Sequence, residues 1–323
     1  MKIEKADVKK ILFITLTNIG DLVLTLPVLG ALKKEFPEAS IAVLAGSKAG
    51  EILRADSSVS DILVYNKRAA LFDKLRLVLK LRGMDFDMAV DMRHSFFPIL
   101  VGAKYRTSML KAPDRKIHRK EKHLKSLSAL GISTAETFFP ILFNRNDRLH
   151  VNSILNKEGI LPEDKIVAIA PGAKSHMKRW KIGGFIDVCT RLGKEPNFKI
   201  ALIGDEADKA INSQIVAKST GKVYNLSDCF NLRELAYFLS LSKLLITNDS
   251  APLHIAGAVD TPIIAVFGPT DHGKYGPISP GSIVVRKSIK CSPCEKAICE
   301  FNLECMEQVS SEDVLNAVER LLL

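Results

Sequence analysis

Apolar residues gather into runs of strand length, and longer segments of helical period lie between them. "ILFITLT" at residues 11–17 leads into a helix over residues 21–36. "IAVLAG", "EILRA" and "DILVYN" follow, then a helix through "LFDKLRLVLKLR" and the run "FDMAVDM". The runs are continuously apolar rather than alternating, as in strands buried on both faces. Such strands alternating with helices predict an α/β fold with a parallel sheet covered on its two sides. After a polar stretch at residues 144–164 the pattern restarts. "KIVAIAPGA", "FKIALIGD", "KLLITND" and "PIIAVFGPT" read as strands, with helices through "GGFIDVCTRLG", "EADKAINSQIVAKS" and "LRELAYFLS". The reading is two parallel α/β units joined by a linker, over residues 1–155 and 156–323. At the end of the chain, "SSEDVLNAVERLLL" reads as a helix capped by Ser311 with Asp313.

The informative polar residues all follow strands. Asp21 stands after the first strand, in the otherwise apolar "NIGDLVLTLP". It must be a cap, half of an ion pair, or a group kept for chemistry, because an unpaired buried charge is costly. "PGAKSHMKRW" brings Gly172, Ala173, Lys178 and Arg179, "GDEAD" brings Glu206 and Asp208, "TNDSAPLHIAG" brings Asp249 to His254, and "FGPTD" brings Thr270. Loops after strands carry such residues for turns and caps alone. Their common position at the carboxyl ends of strands, where ligands of open α/β sheets bind, is the stronger signal. Ser250 suits an N-cap and Pro252 a first turn, so a helix starts there with free N–H groups that favour phosphate. Asp249 reads equally as a second cap, and His254 as a satisfied first-turn histidine. Lys178 and Arg179 do not help the helix that follows them, whose N-terminus is positive; they are solvated charges or a phosphate clamp. No Walker pattern and no G-x-G-x-x-G occurs, which disfavours a nicotinamide dehydrogenase.

Composition and charge add a partner. The chain has 323 residues, 47% apolar and 25% charged, with a net charge of +10. Residues 1–150 carry 26 Lys and Arg against 16 Asp and Glu, whereas residues 151–323 carry 20 of each. The excess is densest at residues 104–125, with nine basic and two acidic side chains. That stretch is a solvated face or a surface for a polyanion. No zinc-finger, RNA-binding or helix-turn-helix signature points to nucleic acid. Asn18, Gly20, Asp21 and Pro27 interrupt the first apolar stretch, so neither a leader nor a membrane span is read there, and a cytoplasmic location is expected. Cys291, Cys294, Cys299 and Cys305 stand as C-x2-C-x4-C-x5-C. That spacing suits a structural metal site or reduced packing thiols, with disulfides disfavoured in a reducing compartment.

These stretches together resemble the heptosyltransferases of glycosyltransferase family 9. "ILFITLTNIGDLVLTLPVLGALKKEFPEASI", "FDMAVDMRHS", "APGAKSHMKRWKIGGF", "TNDSAPLHIAGAVDTPIIAVFGPTD" and the cysteine run carry the likeness in order across nearly the whole chain. The resemblance implies a GT-B fold, two facing Rossmann-like domains with a central cleft, acceptor in the first and nucleotide-sugar in the second. It implies inverting transfer of heptose from ADP-heptose to the lipid A–Kdo inner core of lipopolysaccharide, with no catalytic metal. In that family Asp21 would be the general base and Lys178 would stabilise the leaving diphosphate. Asp249 would contact the sugar, with Ser250, Ala251, Pro252, Leu253, His254, Gly172, Ala173 and Thr270 also on the donor. Asp208 stands where the family has a ribose-binding Glu; neighbouring Glu206 could serve instead. A phosphorylated glycolipid at the anionic face of the inner membrane would give Arg93, Lys104, Arg106, Arg115, Lys116, Arg119 and Lys120 an acceptor role. Another nucleotide-sugar transferase or a nucleotide-sugar epimerase of the same fold stays open.

Overall fold

The computed structural model describes residues 3–109, 117–135 and 137–322. The chain forms two compact units, Met1–Leu142 and Phe143–Leu323.

In unit one, strands β1 (Lys10–Ile14), β2 (Ser40–Ala45), β3 (Val59–Val64), β4 (Met88–Asp91) and β5 (Tyr105–Arg106) form one parallel sheet in the order β3-β2-β1-β4-β5. Its helices are α1 (Ile19–Glu35), α2 (Leu71–Gly83), α3 (Phe97–Val101) and α4 (Arg119–Lys125). Helix α1 is buried continuously from Leu22 to Leu32, as expected of a helix apolar on every side. Pro27 lies inside it and supplies no N–H. The Thr25 hydroxyl lies 2.7 Å from both the Leu22 carbonyl and the Thr15 hydroxyl, which ties α1 to the residue after β1. Gly30 lets the chain cross α1 closely, because a Cβ there would stand 2.5 Å from the Phe138 carbonyl oxygen. The strand-length run "EILRA" is not a strand. It lies largely in a 3-10 turn, Ala49–Leu53, entered through Gly46 and Gly50, whose backbone groups bond at 3.0 Å.

In unit two, β6 (Lys165–Ala170), β7 (Phe198–Leu202), β8 (Val223–Asn225), β9 (Leu244–Asn248), β10 (Ile263–Val266) and β11 (Ile283–Val285) are all parallel, in the order β11-β10-β9-β6-β7-β8. The helices are α5 (Arg145–Glu158), α6 (Ile182–Leu192), α7 (Lys209–Lys218), α8 (Leu232–Leu241), α9 (Ala251–Ala258), α10 (His272–Tyr275), α11 (Glu304–Glu307) and α12 (Ser311–Leu322). The polar stretch at residues 144–164 is more than a linker, since most of it is α5. This helix opens with an Asn144–Asp147 capping box and packs on α8 along a narrow stripe of Asp147, Val151 and Leu155. Asp147 is buried, and Arg233 of α8 donates to both its oxygens, at 3.0 and 2.9 Å. Burial pushes the Asp147 carboxyl up, but the Arg233 guanidinium and the Asn144 N–H hold it below the usual carboxylate range. Helix α12 forms as expected with a different cap. Ser310 exchanges bonds with Asp313, while the Ser311 hydroxyl donates to Asp187 at 3.1 Å.

Each sheet reverses its strand order beside its first strand, between β1 and β4 in unit one and between β6 and β9 in unit two. The reversal leaves a crevice at the carboxyl ends of the paired strands, because the flanking helices diverge to opposite faces there.

Candidate active site

Asp21 sits at the switch point of unit one, in the first turn of α1. Asn18, not Asp21, occupies the N-cap position, and its amide donates to the Asp21 carboxylate at 3.0 Å. A carboxylate in this turn is favoured by the positive end of the helix. Helix α4 packs against α1 and brings His123 into electrostatic range of Asp21, Arg119, His94 and Lys122. Burial lowers the His123 pKa to about 4 against the opposing pull of Asp21, so its imidazole is neutral at neutral pH.

The other side of this switch point is the turn after β4. Asp91 is buried and accepts from the Arg93 and Ser95 N–H groups at 2.8 and 2.7 Å and from the Ser95 hydroxyl at 2.6 Å. That turn aims Arg93 over the Tyr65 ring, 3.9 Å from its centroid, and places His94 at a positive φ of 55°. Nη1 of Arg93 is buried and has no hydrogen-bond partner among the described residues. An unmatched guanidinium nitrogen is a place for an anion.

The described part of the basic stretch 104–125 falls on two elements, β5 and α4. Lys104 precedes β5, at the amino end of the sheet, and pairs with Asp7 at 3.0 Å. The exposed Arg106 donates to the Ala103 carbonyl at 3.3 Å. Arg119 and Lys120 instead begin α4 beside α1. Arg115 and Lys116 lie outside the described residues.

In unit two the switch point holds a close charge contact between a lysine and a buried carboxylate. Nζ of Lys178, which ends a short turn after β6, lies 2.6 Å from Asp249 Oδ2, just after β9. Asp249 is buried, and the Lys178 side chain is 35% exposed. Asn248 fixes both loops: its side chain accepts from the Trp180 N–H at 3.0 Å and donates to the Pro171 carbonyl at 2.7 Å. Trp180 is itself buried and donates to the Val309 carbonyl at 3.0 Å. Arg179 donates to the Ala173 carbonyl at 2.7 Å. Ser250 stands at the N-cap of α9 with Pro252 in the first turn, but its hydroxyl makes no capping bond and lies 3.3 Å from the Thr247 hydroxyl. Leu253 and His254 are buried in α9, and Thr270 is buried after β10.

Asp208 folds over the loops after β6 and β7. A Cβ on Gly172 would overlap its carboxyl, and one on Gly204 would stand 2.6 Å from its Cβ. The carboxylate closes a capping box with Asp205 at 3.2 Å, and burial raises its pKa. Glu206 is drawn outward to Lys209 at 2.5 Å and is exposed. Of the two candidates for one ribose, only Asp208 lies over the glycine at the carboxyl end of β6.

Cys291, Cys294, Cys299 and Cys305 are free thiols around one cavity of ≈ 220 Å³. Among the described residues no group of three or more His, Cys, Asp or Glu side chains is arranged to hold a metal. The spacing left a structural metal and metal-free thiols open, and the structure shows the four thiols lining one pocket. Cys299 Sγ accepts the N–H groups of Phe301 and Leu303, both at 3.3 Å, and Cys305 is packed against Gly268. Burial, then repulsion from the other cysteines, pushes the Cys305 thiol up.

The model of glycosyltransferase family 9 (heptosyltransferase) matches residues 128–304. Lipopolysaccharide heptosyltransferase 3 of Escherichia coli K12 is 27% identical, over 94% of this chain and 95% of that protein. The glycosyl transferase family 9 structure from Veillonella parvula has a TM-score of 0.89 and 24% identity, covering 100% of this chain and 98% of that one. The structure of E. coli ADP-heptose lps heptosyltransferase II has a TM-score of 0.76 and 20% identity, covering 97% and 98%. The two parallel-sheet α/β units thus have the GT-B type of fold.

Proposed function

The chain belongs to glycosyltransferase family 9, the heptosyltransferases, and from that premise we propose that it transfers heptose from ADP-heptose to a phosphorylated glycolipid of the lipopolysaccharide inner core. The observation that carries the reading is Lys178, Asp249 and the start of α9 meeting at one switch point. A lysine beside free helix N–H groups suits a nucleotide diphosphate.

In this reading the acceptor hydroxyl oxygen attacks the anomeric carbon as the bond to the ADP oxygen breaks. Asp21 takes the hydroxyl proton, and the electron pair leaves with ADP. Lys178 and the α9 N-terminus offset the charge growing on the diphosphate, as preorganised donors do. Asp249 accepts from sugar hydroxyls, and Asp208 faces the ribose. On the acceptor side, the unmatched Arg93 nitrogen and the cations of α4 receive phosphate. No metal is assigned a part in catalysis. The work is placed in the cytoplasm, where nucleotide-sugars are made.

Asp21→Asn tests the base. It keeps the shape and the bond to Asn18, so melting and donor affinity stay as in the wild type. Turnover falls roughly two to four decades, the usual contribution of a positioned base. A folded, donor-binding variant with undiminished turnover refutes the role. Donor assays with ADP- and UDP-sugars test the rest: a clear preference for UDP removes the heptose reading, and an altered sugar formed without acceptor identifies an epimerase.

A further inference from the structure

We infer that the face of unit one formed by α2 and α3 is the surface on which the protein lies against an anionic lipid bilayer. Helix α2, "LFDKLRLVLKLRG", is apolar on two opposite faces. Leu77 and Leu81 pack into the core below. Phe72, Leu75 and Leu79 are three and four residues apart, so they share the outward face. They are 72%, 54% and 70% exposed. Helix α3 packs beside α2, and Phe96, Ile99 and Leu100 around it are exposed too. Single apolar side chains on a surface are ordinary, whereas large apolar residues gathered on two neighbouring helices mark a contact surface.

The charge around the patch selects the partner. Arg76, Lys80 and Arg82 of α2 are exposed beside the apolar stripe, and Lys67 and Arg68 are exposed just ahead of the helix. Asp73 is the single acidic residue in α2. Apolar side chains bordered by cations fit acyl chains beneath anionic headgroups. A second copy would bring the same cations against this rim, which disfavours self-association. The helix is 13 residues long, and no helix of the described residues is long and apolar enough to cross a membrane, so the contact is a lying one. The inference uses none of the donor or acceptor chemistry proposed above.

Flotation with vesicles tests it, using phosphatidylethanolamine–phosphatidylglycerol vesicles beside pure phosphatidylcholine. The full chain is expected to float with the anionic vesicles, less so at high salt, and not with the neutral ones. The triple variant F72S/L75S/L79S is expected to partition roughly ten- to a hundredfold more weakly, because it loses three apolar insertions. Its melting temperature and ADP affinity report that the fold is kept. Leu79→Ser alone, expected to weaken partitioning severalfold, serves if the triple variant does not fold. Wild-type partitioning by these variants, or no flotation of the wild type, overturns the inference. A solution dimer that the triple variant dissociates also overturns it and assigns the patch to a second copy.

Discussion

Replacing Lys178 by alanine separates a structural ion pair from a catalytic charge. Its ammonium lies 2.6 Å from the buried Asp249 carboxylate. Two unit charges about 4 Å apart attract by ~4 kcal/mol at the effective dielectric of a protein surface. The Lys178 side chain is 35% exposed, so solvent screens part of that attraction. Lys178→Ala should then cost about 1–3 kcal/mol, below the range for breaking a fully buried pair. For a unit of this size that lowers Tm by roughly 2–12 °C. A charge that stabilises the departing diphosphate has a second, larger effect, roughly two to three decades in turnover. Thermal melts, calorimetric ADP affinity and single-turnover transfer on one preparation read the two effects separately. Lys178→Ala with Asp249→Asn removes both charges and should recover most of the stability but none of the turnover. A Lys178→Ala protein that melts early yet turns over normally refutes the catalytic role. Equal losses in binding and rate make Lys178 a ground-state anchor instead.

Three further outcomes follow from the same geometry. The His123 pKa is about 4 in the folded protein against 6.5 unperturbed, so its contribution is fully present above pH 6.5 and is lost as pH falls towards 4. That amounts to roughly 3 kcal/mol, and His123→Gln should flatten this part of the Tm–pH curve. Arg233→Ala leaves the buried Asp147 unpaired and should destabilise unit two by about 3–5 kcal/mol; Arg233→Met with Asp147→Leu should restore much of it in urea unfolding. Gly172→Ala pushes the Asp208 carboxyl aside and should raise the donor KM roughly tenfold with kcat little changed, a hydrogen bond's worth of binding.

The long central strands were legible because each is a continuously apolar run, a pattern that few other environments produce. The edge strands β5, β8 and β11 were not: they are two or three residues long and exist through pairing with a neighbour rather than through their own composition. Helix α5 hid inside a polar stretch because its buried stripe includes a carboxylate, Asp147, whose partner Arg233 lies 86 residues away. The loops after strands announced themselves, since polar residues there follow apolar runs directly. What they touch did not. The approach of His123 to Asp21 depends on α4 packing against α1, and the inward position of Asp208, against the exposed Glu206, depends on which side chain a capping box turns over the glycines. The cysteine spacing left a metal and packing thiols open, and it could not show that Cys299 accepts two backbone N–H groups or that Cys305 packs against Gly268.

The Lys178–Asp249 contact also bears on how the proposed donor enters. An ammonium has three N–H donors, so binding Asp249 does not use it up. Asp249 is a buried carboxylate, and without Lys178 its desolvation would be uncompensated. The pair therefore holds the lysine at the carboxyl ends of β6 and β9 before any ligand arrives, and little side-chain entropy remains to be lost on binding. A diphosphate entering beside α9 then competes with Asp249 for the same cation. As Lys178 turns towards the phosphate, one Asp249 oxygen becomes free to accept from a sugar hydroxyl, which restores its lost partner. ADP alone gives Lys178 a phosphate but leaves the buried Asp249 short of a partner, whereas the nucleotide with its sugar satisfies both. The pair should accordingly discriminate against ADP alone in favour of the intact nucleotide-sugar. Asp249→Asn has no buried charge to satisfy, so it should narrow the affinity gap between those two ligands while the wild type keeps it wide. An unchanged gap would leave the contact a structural staple with no part in donor selection.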